Sequence, residues 1–69
     1  MTAKTRRRLG HRITTLRERK GWTQQELADK AKVHQTYLSG VENGHRNLTV
    51  DVLERITTAL GKELADLFR

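Results

Sequence analysis

The chain has 69 residues, no cysteine and no proline, and a formal net charge of +6. A chain of this length forms one domain with a small core, and the lack of cysteine excludes both a disulfide scaffold and a thiolate metal site. No apolar run is long enough to span a membrane, and no hydrophobic signal region follows the basic N-terminus. We therefore expect a soluble intracellular protein. Its charge favours a polyanionic partner over a charge that serves solubility alone.

Apolar residues recur at helical spacing along the whole chain, which predicts an all-α fold, a compact bundle of five helices forming a single domain over residues 1–69. The first helix is predicted over about residues 6–20, with Gly21 as its C-terminal stop, and residues 1–5 are predicted to be a flexible basic tail. The second helix begins after Thr23, which can form a capping box with Glu26.

The later helices follow from similar signals. The third helix is predicted to start at His34 and to end after about two turns, where Asn43 and Gly44 supply a left-handed cap. A fourth helix is predicted over about residues 50–60, stopped by Gly61, and a fifth over about residues 63–68.

Only "KVH" separates the second and third helices, which is the short connection of a helix-turn-helix unit. Such a unit places its second helix in the major groove of DNA. Leu38 and Val41 face inward, so the residues on the other side are predicted to meet base edges. They are His34, which could instead cap the helix, and Gln35, Thr36, Ser39 and Gly40. Gly40 costs about 1 kcal/mol relative to alanine in mid-helix, and we attribute it to close approach to the duplex.

Phosphate contacts are predicted on both sides of this face. Gln24 and Gln25 lie at the N-terminus of the second helix, where backbone N–H groups favour an anion. A polar loop follows the third helix and carries Asn43, His45, Arg46 and Asn47. Taken alone, Arg46 could equally be a solvated cation, and its polar neighbours favour the DNA contact.

The segment "WTQQELADKAKVHQTYLSGVENG" resembles the phage-repressor and Cro type of helix-turn-helix domain, the XRE-like family with the lambda-repressor-like fold. A narrower likeness lies in "TYLSGVENGHRNLTVDVLERI", which is similar to the controller proteins of restriction-modification systems, small homodimeric regulators that bind paired operators. The resemblance implies a bacterial, cytoplasmic, nucleoid-associated protein that binds double-stranded DNA and a second copy of itself, with RNA polymerase as a further partner.

Carried over by residue, the resemblance implies phosphate contact by Gln24 and adds Tyr37 to the residues that contact the DNA backbone. This chain departs from the family pattern at two positions. Controller-like sequences commonly carry arginine where this chain has Gln35, which suggests a preference for adenine over guanine. They often carry glycine where this chain has Lys32, so we expect a non-glycine residue in the left-handed conformation in the inter-helix turn.

The C-terminal half carries more apolar residues than a small core needs, and we interpret part of this surface as a dimer interface. The predicted interface residues are Val50, Leu53, Leu60, Leu64, Leu67 and Phe68. The alternative is that they close the core of a monomer. A two-fold dimer would place the third helices of its two copies about 34 Å apart and would favour a palindromic DNA site.

Enzymatic and metal-dependent functions find no support in the sequence. There is no cysteine nucleophile and no phosphate-cradling glycine loop, and Ser39 lacks a credible catalytic partner. His11, His34 and His45 lack the spacing of a helical metal pair, so we expect no cofactor and no metal.

The sequence therefore predicts a DNA-binding transcriptional regulator, with a restriction-modification controller as the leading subtype. A phage-type repressor or an antitoxin regulator is the alternative within this class. From another class, the alternative is a protein-interaction adaptor with the same fold.

Overall fold

A computed structural model describes all residues from Met1 to Arg69. Four α-helices follow one another: α1 (Ala3–Arg19), α2 (Gln24–Ala31), α3 (Gln35–Glu42) and α4 (Val50–Ala59), and a 3-10 helix (Leu64–Phe68) ends the chain. The predicted all-helical fold is confirmed. None of these helices is long and apolar enough to cross a membrane.

Two predictions for the ends of the chain are wrong. The predicted fifth α-helix is a 3-10 helix of five residues (Leu64–Phe68), so the chain has four α-helices and not five. The Asp66 amide donates to the Glu63 carbonyl three residues earlier, as in a 3-10 helix. The predicted tail over residues 1–5 is largely helical, because the side chain of Thr2 accepts a hydrogen bond from the Thr5 amide and α1 begins at Ala3.

The caps predicted at the start of α2 and of α4, and the glycine stops after α1 and α4, are present. Thr23 and Glu26 form the capping box at the start of α2, and Thr49 accepts from the amide of Val52 at the start of α4. Gly21 and Gly61 have φ values of 73° and 69°, the left-handed conformation that lets the chain leave a helix without a Cβ clash.

Twelve buried apolar residues form one core between the helices. It consists of Leu9, Ile13, Leu16, Leu27, Ala28, Ala31, Leu38, Val41, Leu53, Ile56, Leu60 and Leu67. Three of the predicted dimer contacts are among them, with exposed fractions of 4% for Leu53, 0% for Leu60 and 3% for Leu67. That part of the dimer prediction is wrong, because these side chains are buried in the core of the monomer and cannot contact a second copy.

Helices α1 and α3 approach each other closely at Gly10. A Cβ atom at this position would overlap the carbonyl oxygen of Val41 and would lie 2.6 Å from that of Glu42. Only a residue without a side chain fits there, since backbone atoms on the opposing helix cannot move aside without shifting α3.

An ion pair between part-buried Arg17 and buried Glu42 connects three helices. Arg17 of α1 donates through Nε to Glu42 Oε2 (2.8 Å) and through Nη2 to Glu42 Oε1 (2.9 Å). Gln24 of α2 donates its amide N–H to the same Oε1 at 3.1 Å, and the Thr14 hydroxyl lies 2.9 Å from it. Arg17 also donates to the carbonyl of Trp22 at 2.7 Å. The carboxylate of Glu42 is therefore the common acceptor for α1 and α2.

Ionisation of this pair is favoured in the folded protein. Burial opposes the charged form of Glu42, but the hydrogen bonds from Arg17, Gln24 and Thr14 outweigh it, so the pKa of Glu42 lies below its ordinary value of 4.5. The same hydrogen bond raises the pKa of Arg17, against the cost of its own burial. Both partners stay charged at neutral pH.

We expect the free energy of unfolding to fall in acid. A depressed carboxyl pKa stabilises the fold above the ordinary value of 4.5, and this stability is lost as pH falls through the lower folded value. Glu26 adds to the trend in the same direction, because the backbone N–H of Thr23 lowers its pKa. The measurement is urea unfolding across the acidic range.

Glu42→Gln should cost on the order of 3 kcal/mol at neutral pH, because it leaves Arg17 buried without its counter-charge. The difference in the free energy of unfolding between Glu42→Gln and wild type should decrease as pH falls, because Glu42 itself becomes uncharged. An osmolyte added to both proteins keeps the comparison possible if the variant unfolds in buffer alone. Glu54→Gln, at an exposed position of α4, is the matched control. A gap that stays constant with pH would contradict this account of Glu42.

Candidate nucleic-acid interface

The turn between α2 and α3 has the geometry of a helix-turn-helix unit. Lys32 has φ 59° and ψ 46°, so the expected left-handed non-glycine residue is present, at a cost on the order of 1 kcal/mol. The Val33 amide donates to the carbonyl of Ala28 at 3.0 Å, which closes the end of α2. α3 then begins at Gln35.

The outer face of α3 carries uncharged polar side chains. Gln35 and Thr36 are exposed and Ser39 is half-buried, whereas Leu38 and Val41 are buried in the core. The side chains on this face therefore keep their amide and hydroxyl groups available for an external partner. These groups can pair with the edges of DNA bases in the major groove.

His34 lies at the N-cap position of α3, but its side chain makes no capping hydrogen bond. The imidazole is exposed. The capping role that the sequence left open for His34 is therefore not used, and the ring is available at the entrance to the outer face.

The two glutamines at the start of α2 are held by other side chains. Gln24 is half-buried and donates one amide N–H to Glu42, and Gln25 donates to Asp29 Oδ1 at 2.8 Å. A primary amide has a second N–H, and the first backbone N–H groups of a helix have no partner within it. An anion at this end of α2 could therefore be bound by both kinds of donor, with the amide of Gln24 already oriented.

Helix α1 secures the loop that follows α3. Arg6 donates through Nε to the carbonyl of Gly44 (3.2 Å) and through Nη1 to Asn47 Oδ1 (3.3 Å). Gly44 has φ 76°, and a Cβ there would lie 2.8 Å from Arg7 Cγ. Sequence reasoning missed both arginines, because contacts between residues about forty positions apart leave no local pattern.

The Tyr37 side chain borders the same loop. Its hydroxyl donates to the carbonyl of Asn47 at 3.3 Å, and its ring lies 5.7 Å from the guanidinium carbon of Arg46. Three further polar side chains of the loop, those of Asn43, His45 and Asn47, are exposed like that of Arg46. The predicted phosphate-binding residues after α3 are thus brought together at one end of that helix.

Gly40 has a different neighbour from the one that the sequence suggested. A Cβ atom on Gly40 would lie 2.9 Å from Cγ and 3.2 Å from Nε of Arg46. The space beside this glycine is therefore filled by the chain's own arginine, so close approach of a duplex is not needed to explain the residue.

Two large apolar side chains of the C-terminal half are exposed outside the core, as Met1 is at the N-terminus. Phe68 is 55% exposed and Val50 is 60% exposed, and Leu64 is half-buried against the core. These three are the members of the predicted dimer surface that the fold leaves accessible.

Comparison with known proteins places the chain among regulators. The profile of the family described as "Helix-turn-helix" matches residues 13–67. Control protein C.BamHI of Bacillus amyloliquefaciens is 35% identical over 68 residues, covering 97% of this chain and 84% of that protein.

Solved structures agree with this match. The restriction-modification controller protein C.AhdI from Aeromonas hydrophila superposes with a TM-score of 0.90 at 35% identity, over 91% of this chain and 96% of that one. The biofilm master regulator SinR, solved in complex with DNA, superposes with a TM-score of 0.84 at 34% identity, over 88% of this chain and 98% of that one.

The Gln24 amide contact can be tested with a matched pair of variants. Gln24→Glu should lower the free energy of unfolding by about 1–3 kcal/mol, because it replaces a donor to buried Glu42 with a second carboxylate. Gln25→Glu makes the same change of charge at the adjacent position, where the lost hydrogen bond to Asp29 is exposed to solvent, and should stay within about 0.5 kcal/mol of wild type. Urea unfolding at neutral pH measures both. Equal losses in the two variants would mean that the Gln24–Glu42 hydrogen bond contributes nothing.

Proposed function

The chain belongs to the helix-turn-helix family of DNA-binding transcription regulators, and we propose that it is the controller protein of a restriction-modification system. It acts as a homodimer on palindromic operators. The observation that carries this proposal is the outer face of α3, where exposed amide and hydroxyl groups stand on a rigid helix whose other side is buried in the core.

Base reading belongs to the uncharged residues of that face. Gln35 pairs through its amide with an adenine edge, which offers one donor and one acceptor. Thr36 and Ser39 contribute hydroxyl groups, and the Thr36 methyl contacts thymine. His34 lies beside them at the N-cap.

Phosphate binding belongs to the two ends of the helix-turn-helix unit. The N-terminus of α2 with Gln24 and Gln25 contacts one strand, and the loop after α3 contacts the other. The net charge of +6 supplies the sequence-independent attraction to the duplex. The loop residues assigned to this role, together with the neighbouring tyrosine, are Tyr37, Asn43, His45, Arg46 and Asn47.

A second copy completes the operator-binding unit. We assign the dimer surface to the accessible apolar residues Val50, Leu64 and Phe68. The two α3 helices of such a dimer lie about one turn of duplex apart, about 34 Å. The dimer works in the bacterial cytoplasm at the nucleoid, and it regulates promoters there by occupying DNA next to RNA polymerase.

Selection from a pool of random duplexes at near-physiological salt tests the function. The purified protein should enrich palindromic half-sites about one helical turn apart. Gln35→Ala should relax the base preference at one position in each half-site. Arg46→Ala should instead weaken binding to every sequence by a similar factor. It should also reduce the slope of log affinity against log salt concentration by about one unit. If the protein enriches no sequence, it is not an operator-binding regulator.

Sedimentation equilibrium tests the dimer surface. Phe68→Asp should shift the protein towards monomer, because it places a charge in an apolar contact. Thr36→Asp, the charge-matched control on the outer face of α3, should leave dimerisation unchanged. A wild-type protein that stays monomeric at the concentrations that saturate DNA would contradict the homodimer.

A further inference from the structure

The geometry points to Gly40 as a positioning residue that seats the Arg46 side chain on α3 and holds its guanidinium ready for DNA. This inference rests on the proposed function and deepens it. It assigns to Gly40 a role that acts through another residue, since a glycine has no side chain with which to read a base.

The first observation is steric. The Arg46 side chain runs directly across Gly40, so that a Cβ atom there would lie 2.9 Å from Arg46 Cγ, 3.2 Å from Nε and 3.6 Å from Cδ. Three successive atoms of the arginine thus pack on the bare backbone of α3. Any larger residue at position 40 would lift the arginine from the helix.

The second observation is the contact at the far end of the same side chain. The guanidinium carbon of Arg46 lies 5.7 Å from the centre of the Tyr37 ring, within the range of a cation–π interaction. Tyr37 and Gly40 are three residues apart and therefore lie on one face of α3. Together they form a seat, with Gly40 under the aliphatic part of the arginine and Tyr37 beside its charge.

The backbone around the seat is also fixed. The His45 amide donates to the carbonyl of Gly40 at 2.8 Å, and the Tyr37 hydroxyl donates to the carbonyl of Asn47 at 3.3 Å. These two bonds flank Arg46 in the sequence and hold its backbone against α3. The Cα end of the Arg46 side chain is therefore held in place by these backbone contacts, and its guanidinium end by Tyr37.

The guanidinium keeps its hydrogen-bonding capacity. Arg46 takes part in none of the ion pairs of the chain, which join Arg17 to Glu42, Arg55 to Asp51 and Arg69 to Asp66. A held side chain with free donors loses less conformational entropy when it binds an anion. The seat therefore prepares Arg46 for the duplex without diverting its charge.

A double-mutant cycle separates this role from close approach of Gly40 to the duplex. The duplex is one recovered from the random pool, and the variants are Gly40→Ala, Arg46→Ala and the double variant. Gly40→Ala should weaken binding about two- to tenfold and should have no further effect when Arg46 is already alanine. The same loss in both backgrounds would overturn the inference, because Gly40 would then act on the DNA directly.

Stability and side-chain mobility supply the independent readouts. Gly40→Ala should unfold at the same temperature as wild type or higher, because alanine favours the helix and only a flexible side chain must move. Relaxation of the Arg46 Nε–H group by NMR in the free protein should show a lower order parameter in Gly40→Ala. A large loss of stability, or an unchanged order parameter, would overturn the seat. If wild type bound no duplex, the proposed function would fail, whereas the order parameter would still decide the seat.

Discussion

The arrangement of the helix-turn-helix unit depends on the carboxylate of Glu42. This carboxylate lies at the end of α3 and accepts hydrogen bonds from Arg17 on α1 and Gln24 on α2. Compared with well-packed apolar residues, such an ion pair adds little net stability, although removal of one partner alone is costly. Its hydrogen bonds set how the three helices meet. Because Gln24 stands at the N-terminal end of α2, where we propose a phosphate contact, the hydrogen bond between Gln24 and Glu42 also orients that proposed DNA contact. Fold and binding surface therefore share one set of polar atoms.

Local signals were sufficient to locate most of the helix ends. Thr23 with Glu26, and the glycines at 21, 44 and 61, act over three or four residues, and the structure has all of them in the predicted roles. The sequence does not predict the start of α1 at Ala3, because a single threonine at position 2 is a weak capping signal. The chain's last helix was misjudged because five residues are too few to separate an α-helix from a 3-10 helix.

Long-range contacts could not be predicted in the same way. The periodicity of α4 shows an apolar face but not its partner, so Leu53 and Leu60 were assigned to a dimer although they fill the core. Gly10 and Arg6 carry no local signal, because their partners lie on α3 and in the following loop. For the candidate site, the sequence predicts which residues of α3 face outward, whereas the packing of Arg46 on Gly40 is seen only in the three-dimensional structure.

NMR mapping of a bound duplex tests the central claim, that the outer face of α3 and its flanking segments form one DNA surface. A selected duplex titrated into the labelled protein should shift the amide signals of α3, of the loop over residues 43–47 and of the first turn of α2. Non-specific duplex at the same salt should shift the flanking segments more than α3 itself. Shifts confined to the C-terminal 3-10 helix and α4 would contradict the account, because the DNA would then bind elsewhere.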